Sequence, residues 1–99
     1  DLGDMARSFS RKKGGAFDME MLRVIHENYF ENERDHSIDD TLGATRLITL
    51  ELAARFLIDY FEDCYFGWDE RKFESRRESN IASAWKYISY FQTMPESAR

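Results

Sequence analysis

The sequence is short of the residues that build turns and cross-links. Its 99 residues include one cysteine (Cys64), one proline (Pro95) and five glycines. A lone cysteine excludes an internal disulfide. It reads as a small apolar side chain in a reducing, cytoplasmic setting. So little proline and glycine disfavours turn-rich β architecture. No run of about 18 apolar residues occurs, so the sequence predicts no membrane span. Residues 1–16 carry no signal-peptide pattern. A basic excess is also missing: the net charge is −5. A binder of phosphate backbones needs a concentrated basic surface, so nucleic acid is not an expected partner. Arg11, Lys12 and Lys13, followed by Gly14-Gly15, read as a solvated loop.

What the chain has is aromatic and charged. Phe, Tyr and Trp make up 15% of it and Asp, Glu, Lys and Arg 33%, which together favour a folded, helical chain over disorder. The length fits one small domain or a piece of a larger one. The absence of an initiating Met before Asp1 fits a fragment.

Periodicity predicts an all-α chain with three main helices. Residues 1–16 read as an irregular lead-in, with a turn over Asp1–Asp4 and a short helical piece at Met5-Ala6-Arg7. Residues 17–99 read as one helical unit. The first helix spans Asp18 to Glu33, with Met21, Leu22, Val24, Ile25 and Tyr29 at helical spacing. The second spans Ile38 to Phe66, capped by Ser37 with Asp40 three residues on. Leu47, Leu50, Ala54, Leu57, Phe61 and Cys64 form one apolar stripe on it, and Ile48, Leu52 and Phe56 lie on another side. A helix apolar on two sides must be covered on two sides. The second helix is therefore expected at the centre, with part of its surface meeting something outside the chain. The third helix starts after Ser75, where Ser75 and Glu78 make a capping box. Ile81, Ala84, Trp85, Ile88 and Phe91 give it an apolar face, and Pro95 marks its end.

The candidates for chemistry are few. Glu51, Arg55 and Asp59 stand four apart and predict a half-buried ion-pair ladder on one helix face. Either it is structural, or it holds the guanidinium rigid for a ligand. His26 and His36 have no partners at metal-ligand spacing and read as surface residues. Ser8 and Ser10 have no activating base nearby. Asp39-Asp40 and Asp1 with Asp4 sit where helix starts and turns favour acids. Trp68, Phe73, Trp85, Tyr87, Tyr90 and Phe91 read mostly as core, with Trp68 the exception because it lies on a loop. From the residues alone, this is a helical module with no self-contained active site.

Three segments resemble the aminoglycoside-phosphotransferase-like kinases. Asp1-Leu-Gly-Asp-Met-Ala-Arg7 is similar to the stretch just after that family's metal-binding aspartate. Ile48-Thr-Leu-Glu-Leu-Ala-Ala-Arg-Phe-Leu-Ile-Asp-Tyr-Phe-Glu-Asp-Cys-Tyr-Phe66 resembles the penultimate helix of the branch holding N-acetylhexosamine kinases and proteins labelled mucin desulfatase. Asn80-Ile81, with Ala84 and Tyr87, resembles the branch's final helix. The resemblance implies the helical C-terminal portion of a protein-kinase-like large lobe. The parent would transfer the ATP γ-phosphate to a small hydroxyl acceptor of the sugar class, using ATP and Mg²⁺. The family's His-x-Asp base and metal aspartate precede the position matching Asp1, so this chain would hold no cofactor, base or metal ligand and would be inactive alone. Its partners would be the missing N-terminal kinase portion and a sugar-like acceptor. Arg55 and Tyr65 match the residues that contact sugar hydroxyls in the branch, with Asp59 beside them. Asp4 and Arg7 would brace the segment beneath the catalytic loop. The family motif usually ends Glu-Gly-Asp-x-Tyr-Phe, whereas this chain reads Glu62-Asp-Cys-Tyr-Phe66, one residue shorter and without the glycine. The alternative from the residues is a free-standing helical interaction module that self-associates through an exposed apolar helix surface.

Overall fold

The computed structural model describes residues 2–29 and 37–98. Over these residues the chain is all-α, with helices α1 (Leu2–Phe9), α2 (Met19–Tyr29), α3 (Ile38–Glu62) and α4 (Arg76–Gln92). This is one helix more than the periodicity predicts. The stretch expected as an irregular lead-in starts with α1, whose Gly3 and Ala6 are buried. Gly3 lets α1 lie close on α3, since a Cβ there would stand 3.3 Å from the Ala44 Cβ and carbonyl oxygen. The end of α1 is tied down from the far end of the chain. The Tyr90 hydroxyl stands 2.8 Å from the Arg7 carbonyl oxygen, an acceptor that a helix end leaves without an internal partner, and 3.0 Å from that of Ser10, which also accepts from Asp18 N–H at 2.7 Å. Arg11 then pairs with Phe17 across an isolated antiparallel bridge. Gly14 and Gly15 turn the chain at φ 110° and 92°, a region that glycine enters without steric cost.

Local signals set most helix ends. The Asp18 carboxylate accepts from Met21 N–H at 3.2 Å and starts α2. The last residues expected in this helix, 30–33, lie outside the described residues, as does His36. Ser37 caps α3 by accepting from Asp40 N–H. Ser75 caps α4 by accepting from Glu78 N–H. The return bond of the expected capping box goes one residue earlier, from Glu74 N–H to Glu78 Oε2 at 3.4 Å. At its other end α3 stops at Glu62, four residues before the expected Phe66. Asp63 there adopts the left-handed conformation, φ 55° and ψ 50°.

Helices α3 and α4 run antiparallel. Asp59 meets Asn80 at one end, and Arg46 donates to the Met94 and Pro95 carbonyls at the other. The core gathers at the second end: Ala6, Phe17, Leu22, Leu42, Tyr90 and Met94 are buried together.

The covered face of α3 is not the expected apolar stripe. Its buried residues are Thr41, Leu42, Thr45, Thr49, Ala53 and Asp59. Thr45 and Thr49 donate their hydroxyls to the carbonyls four residues earlier, each at 2.8 Å. This hides the polar atom within the helix and leaves a small, methyl-bearing surface for close packing. The stripe lies on the opposite side. Leu47 is 68% exposed and Phe61 76%, with Leu50 and Ile58 also exposed. On α4, Trp85 is exposed too, against the expectation that it faces the core. The radius of gyration is 15.1 Å, against about 13 Å for a compact domain of this length. The molecule is thus long and thin for its size, and α3 is covered on one flank.

Candidate functional site

The end of α3 folds back on itself. As Asp63 turns left-handed, the next three backbone N–H groups point at one carboxylate. Asp59 accepts from Cys64 at 3.0 Å, Tyr65 at 2.8 Å and Phe66 at 3.0 Å. Asn80 Nδ2 on α4 adds a fourth bond at 2.8 Å. Asp59 is only 2% exposed. Burial alone would raise its pKa, but the bonds from Cys64, Phe66, Asn80 and Tyr65 outweigh it and hold the carboxyl far below the usual range. The carbonyls of the same turn are held by α4. Arg76 donates to Phe66 O at 2.8 Å and Asp63 O at 2.6 Å, with its guanidinium over the Trp68 ring. Arg77 donates to Tyr60 O at 3.0 Å. Two cations thus sit where a helix C-terminus presents its partial negative charge.

Beside this turn lies an open cavity of about 400 Å³, lined by Arg55, Ile58, Asp59, Glu62, Cys64, Tyr65 and Phe66. The three residues singled out on α3 and its turn therefore border one space, but not as a ladder. Arg55 Nη2 pairs with Glu51 Oε1 at 2.6 Å, and both side chains are about half exposed rather than half buried. The ladder stops there, because the Asp59 oxygens face the turn and Asn80. Asp59 lines the cavity while its carboxylate serves the cavity wall. Arg55 also borders a second hollow of about 270 Å³, together with Asp4, Arg7, Ile48, Glu51 and Leu52. In it Asp4 and Arg7 pair at 2.9 Å. An aromatic column joins the two places. Arg7 lies over Tyr87, Tyr87 stacks on Phe56 at 5.8 Å, Phe56 on Phe66 at 4.1 Å, and Tyr65 meets Phe66 edge-on.

The remaining candidates have local roles. His26 Nδ1 lies 2.6 Å from the Thr41 hydroxyl in a half-buried contact, not at the open surface. Asp39 accepts from Ala98 N–H at 2.7 Å. Ser10 is fully buried. Tyr90 is core, Tyr87 and Phe91 are half-buried against it, and Trp68 is half-buried under Arg76. Among the described residues, no group of three His, Cys, Asp or Glu side chains gathers as a metal site would require.

Sequence reasoning missed Asn80 and Arg76 as partners of the α3 end. The one local signal was Asp63, since Asp tolerates the left-handed region better than most residues. Comparison with protein-family models, curated protein sequences and solved structures returned no match.

Proposed function

We propose that this chain is the helical C-terminal portion of the large lobe of an aminoglycoside-phosphotransferase-like kinase, of the sugar-kinase branch. In the intact enzyme it forms the acceptor side of the cleft. The observation that carries the reading is that Arg55 and Tyr65, matched by the resemblance to sugar-contacting residues, border one cavity in spite of the shortened motif. A planar guanidinium beside an aromatic ring suits a polyhydroxylated ligand: the fork donates to hydroxyls while the ring covers a C–H face. Phosphoryl transfer needs a nucleotide cradle, a metal aspartate and a base. These belong to the preceding part of the parent, which would hold ATP and Mg²⁺.

The open flank of α3 supports the same reading. Leu47, Leu50, Ile58 and Phe61 are exposed along one side, and full burial of each such side chain is worth about 1.5–3 kcal/mol. A preceding kinase body would cover them. The same spacing also suits a seam between paired helices, which favours a second reading as an interaction module. The coding sequence upstream of Asp1 decides between them. A His-x-Asp loop followed by a metal-binding aspartate is expected. An initiation codon directly before Asp1 would contradict the kinase reading and support the module.

A further inference from the structure

The turn after α3 is fastened from three directions while its large side chain stays exposed. The Asp59 carboxylate takes the N–H groups of Cys64, Tyr65 and Phe66. Arg76 takes the carbonyls of Asp63 and Phe66. Phe56 stacks on the Phe66 ring. Yet Tyr65 itself is 73% exposed. An exposed aromatic on a fastened backbone is already ordered for contact, so a ligand does not have to order the loop on binding.

We propose that Asp59 and Asn80 are positioning residues of the acceptor site. Asn80 Nδ2 fixes the rotation of the Asp59 carboxylate, the carboxylate fixes three successive amides, and the amides hold Tyr65 at the cavity that Arg55 borders. Neither residue touches the acceptor. This role rests on the acceptor-site reading above and extends it to a second residue pair across α3 and α4, beside the Arg76 bonds to the same turn. Asn80 is 1% exposed, so a buried amide on one helix sets the display of a side chain on the turn after another.

The test uses the 99-residue chain, amide hydrogen exchange and titration with N-acetylglucosamine followed by NMR at Tyr65. In the unaltered chain the amides of Cys64, Tyr65 and Phe66 exchange slowly although they lie outside any helix, and the sugar shifts Tyr65. Asn80→Ala removes one hydrogen bond to a charged group and should speed those three amides by about tenfold. It should weaken sugar binding by roughly fivefold or more, with the helical circular dichroism retained. Asn80→Asp supplies a pH-dependent rescue. At acid pH one proton lies between the two carboxyls and the new group donates to Asp59 as the amide did. Near neutrality the two like charges repel, so binding and amide protection should recover only as the pH falls. The other charged groups at this end are Arg55, Glu62 and Asp63 on α3 and its turn, and Arg76 and Arg77 on α4. They are common to all variants, so comparison with the unaltered chain at each pH isolates the new carboxyl. Faster amides with undiminished sugar affinity in Asn80→Ala overturn the positioning role alone. Unchanged exchange in Asn80→Ala also overturns it. Slow amides in the unaltered chain with no sugar-dependent shift of Tyr65 overturn the acceptor reading, and the positioning role with it.

Discussion

Asn80 Nδ2 and Asp59 Oδ2 stand 2.8 Å apart, both buried, one near the start of α4 and the other near the end of α3. This bond joins the two antiparallel helices at the end away from the main core. The charge on Asp59 is therefore part of the fold, and it makes the fold acid-sensitive. The native carboxyl binds its proton far less readily than an ordinary aspartate. Below about pH 4 the unfolded chain takes up a proton that the native chain refuses. The stabilisation is complete above that range and is lost as the pH falls through it. Thermal melts between pH 7 and pH 2 should show this loss. Asp59→Asn should reduce it and lower Tm at pH 7 by roughly 5–10 °C, since an amide nitrogen would face donors.

The opposite limb of the pH profile belongs to Tyr90. Burial pushes its pKa up to about 12, with Arg11 and Arg7 opposing. Between about pH 10 and that value the unfolded chain releases a proton that the native chain keeps, so stability falls as pH rises. Tyr90→Phe should abolish this alkaline limb. It should also cost about 1–2 kcal/mol at pH 7, because the Arg7 carbonyl loses the hydroxyl donor while the Ser10 carbonyl keeps only the Asp18 N–H. Denaturant titrations at pH 7 and in the alkaline range check both.

The threonine seam of α3 is a matter of size rather than polarity. Thr45→Leu should destabilise by about 1–3 kcal/mol through overpacking. Thr45→Val should stay within about 1 kcal/mol, because the hydroxyl it removes bonds only within its own helix. Equal losses for both would show that the hydroxyl matters in its own right.

Much of the architecture was legible and its sidedness was not. Ser37 and Ser75 announce helix starts because a hydroxyl before a helical run has one obvious use. Spacings of three and four revealed the stripe from Leu47 to Cys64, yet spacing cannot say which of two apolar flanks a neighbour covers. Threonine counts as polar until its hydroxyl bonds back along the helix, so the covered face passed unread. The predicted ladder through Asp59 failed for a related reason. Four-residue spacing places Asp59 near Arg55, but the left-handed Asp63 brings three amides back to it, and three amides with Asn80 outcompete one exposed guanidinium. Spacing singled out Arg55 as a candidate and resemblance added Tyr65, whereas Asn80 emerges only from its contact.

Substitutions on the open flank should separate folding from association. Phe61→Glu should change the stability of the isolated chain by no more than about 0.5 kcal/mol, because the ring is already 76% exposed. In an intact parent it should be strongly destabilising, as a charge would enter a covered face. Denaturant titration of chain and parent checks the pair of outcomes.

Steady-state kinetics of the proposed parent kinase carrying Arg55→Ala test the acceptor-side role most directly. The KM for the sugar acceptor should rise roughly tenfold, as expected on losing a charged donor to its hydroxyls, while the KM for ATP stays unchanged. An equal rise in both would contradict the account.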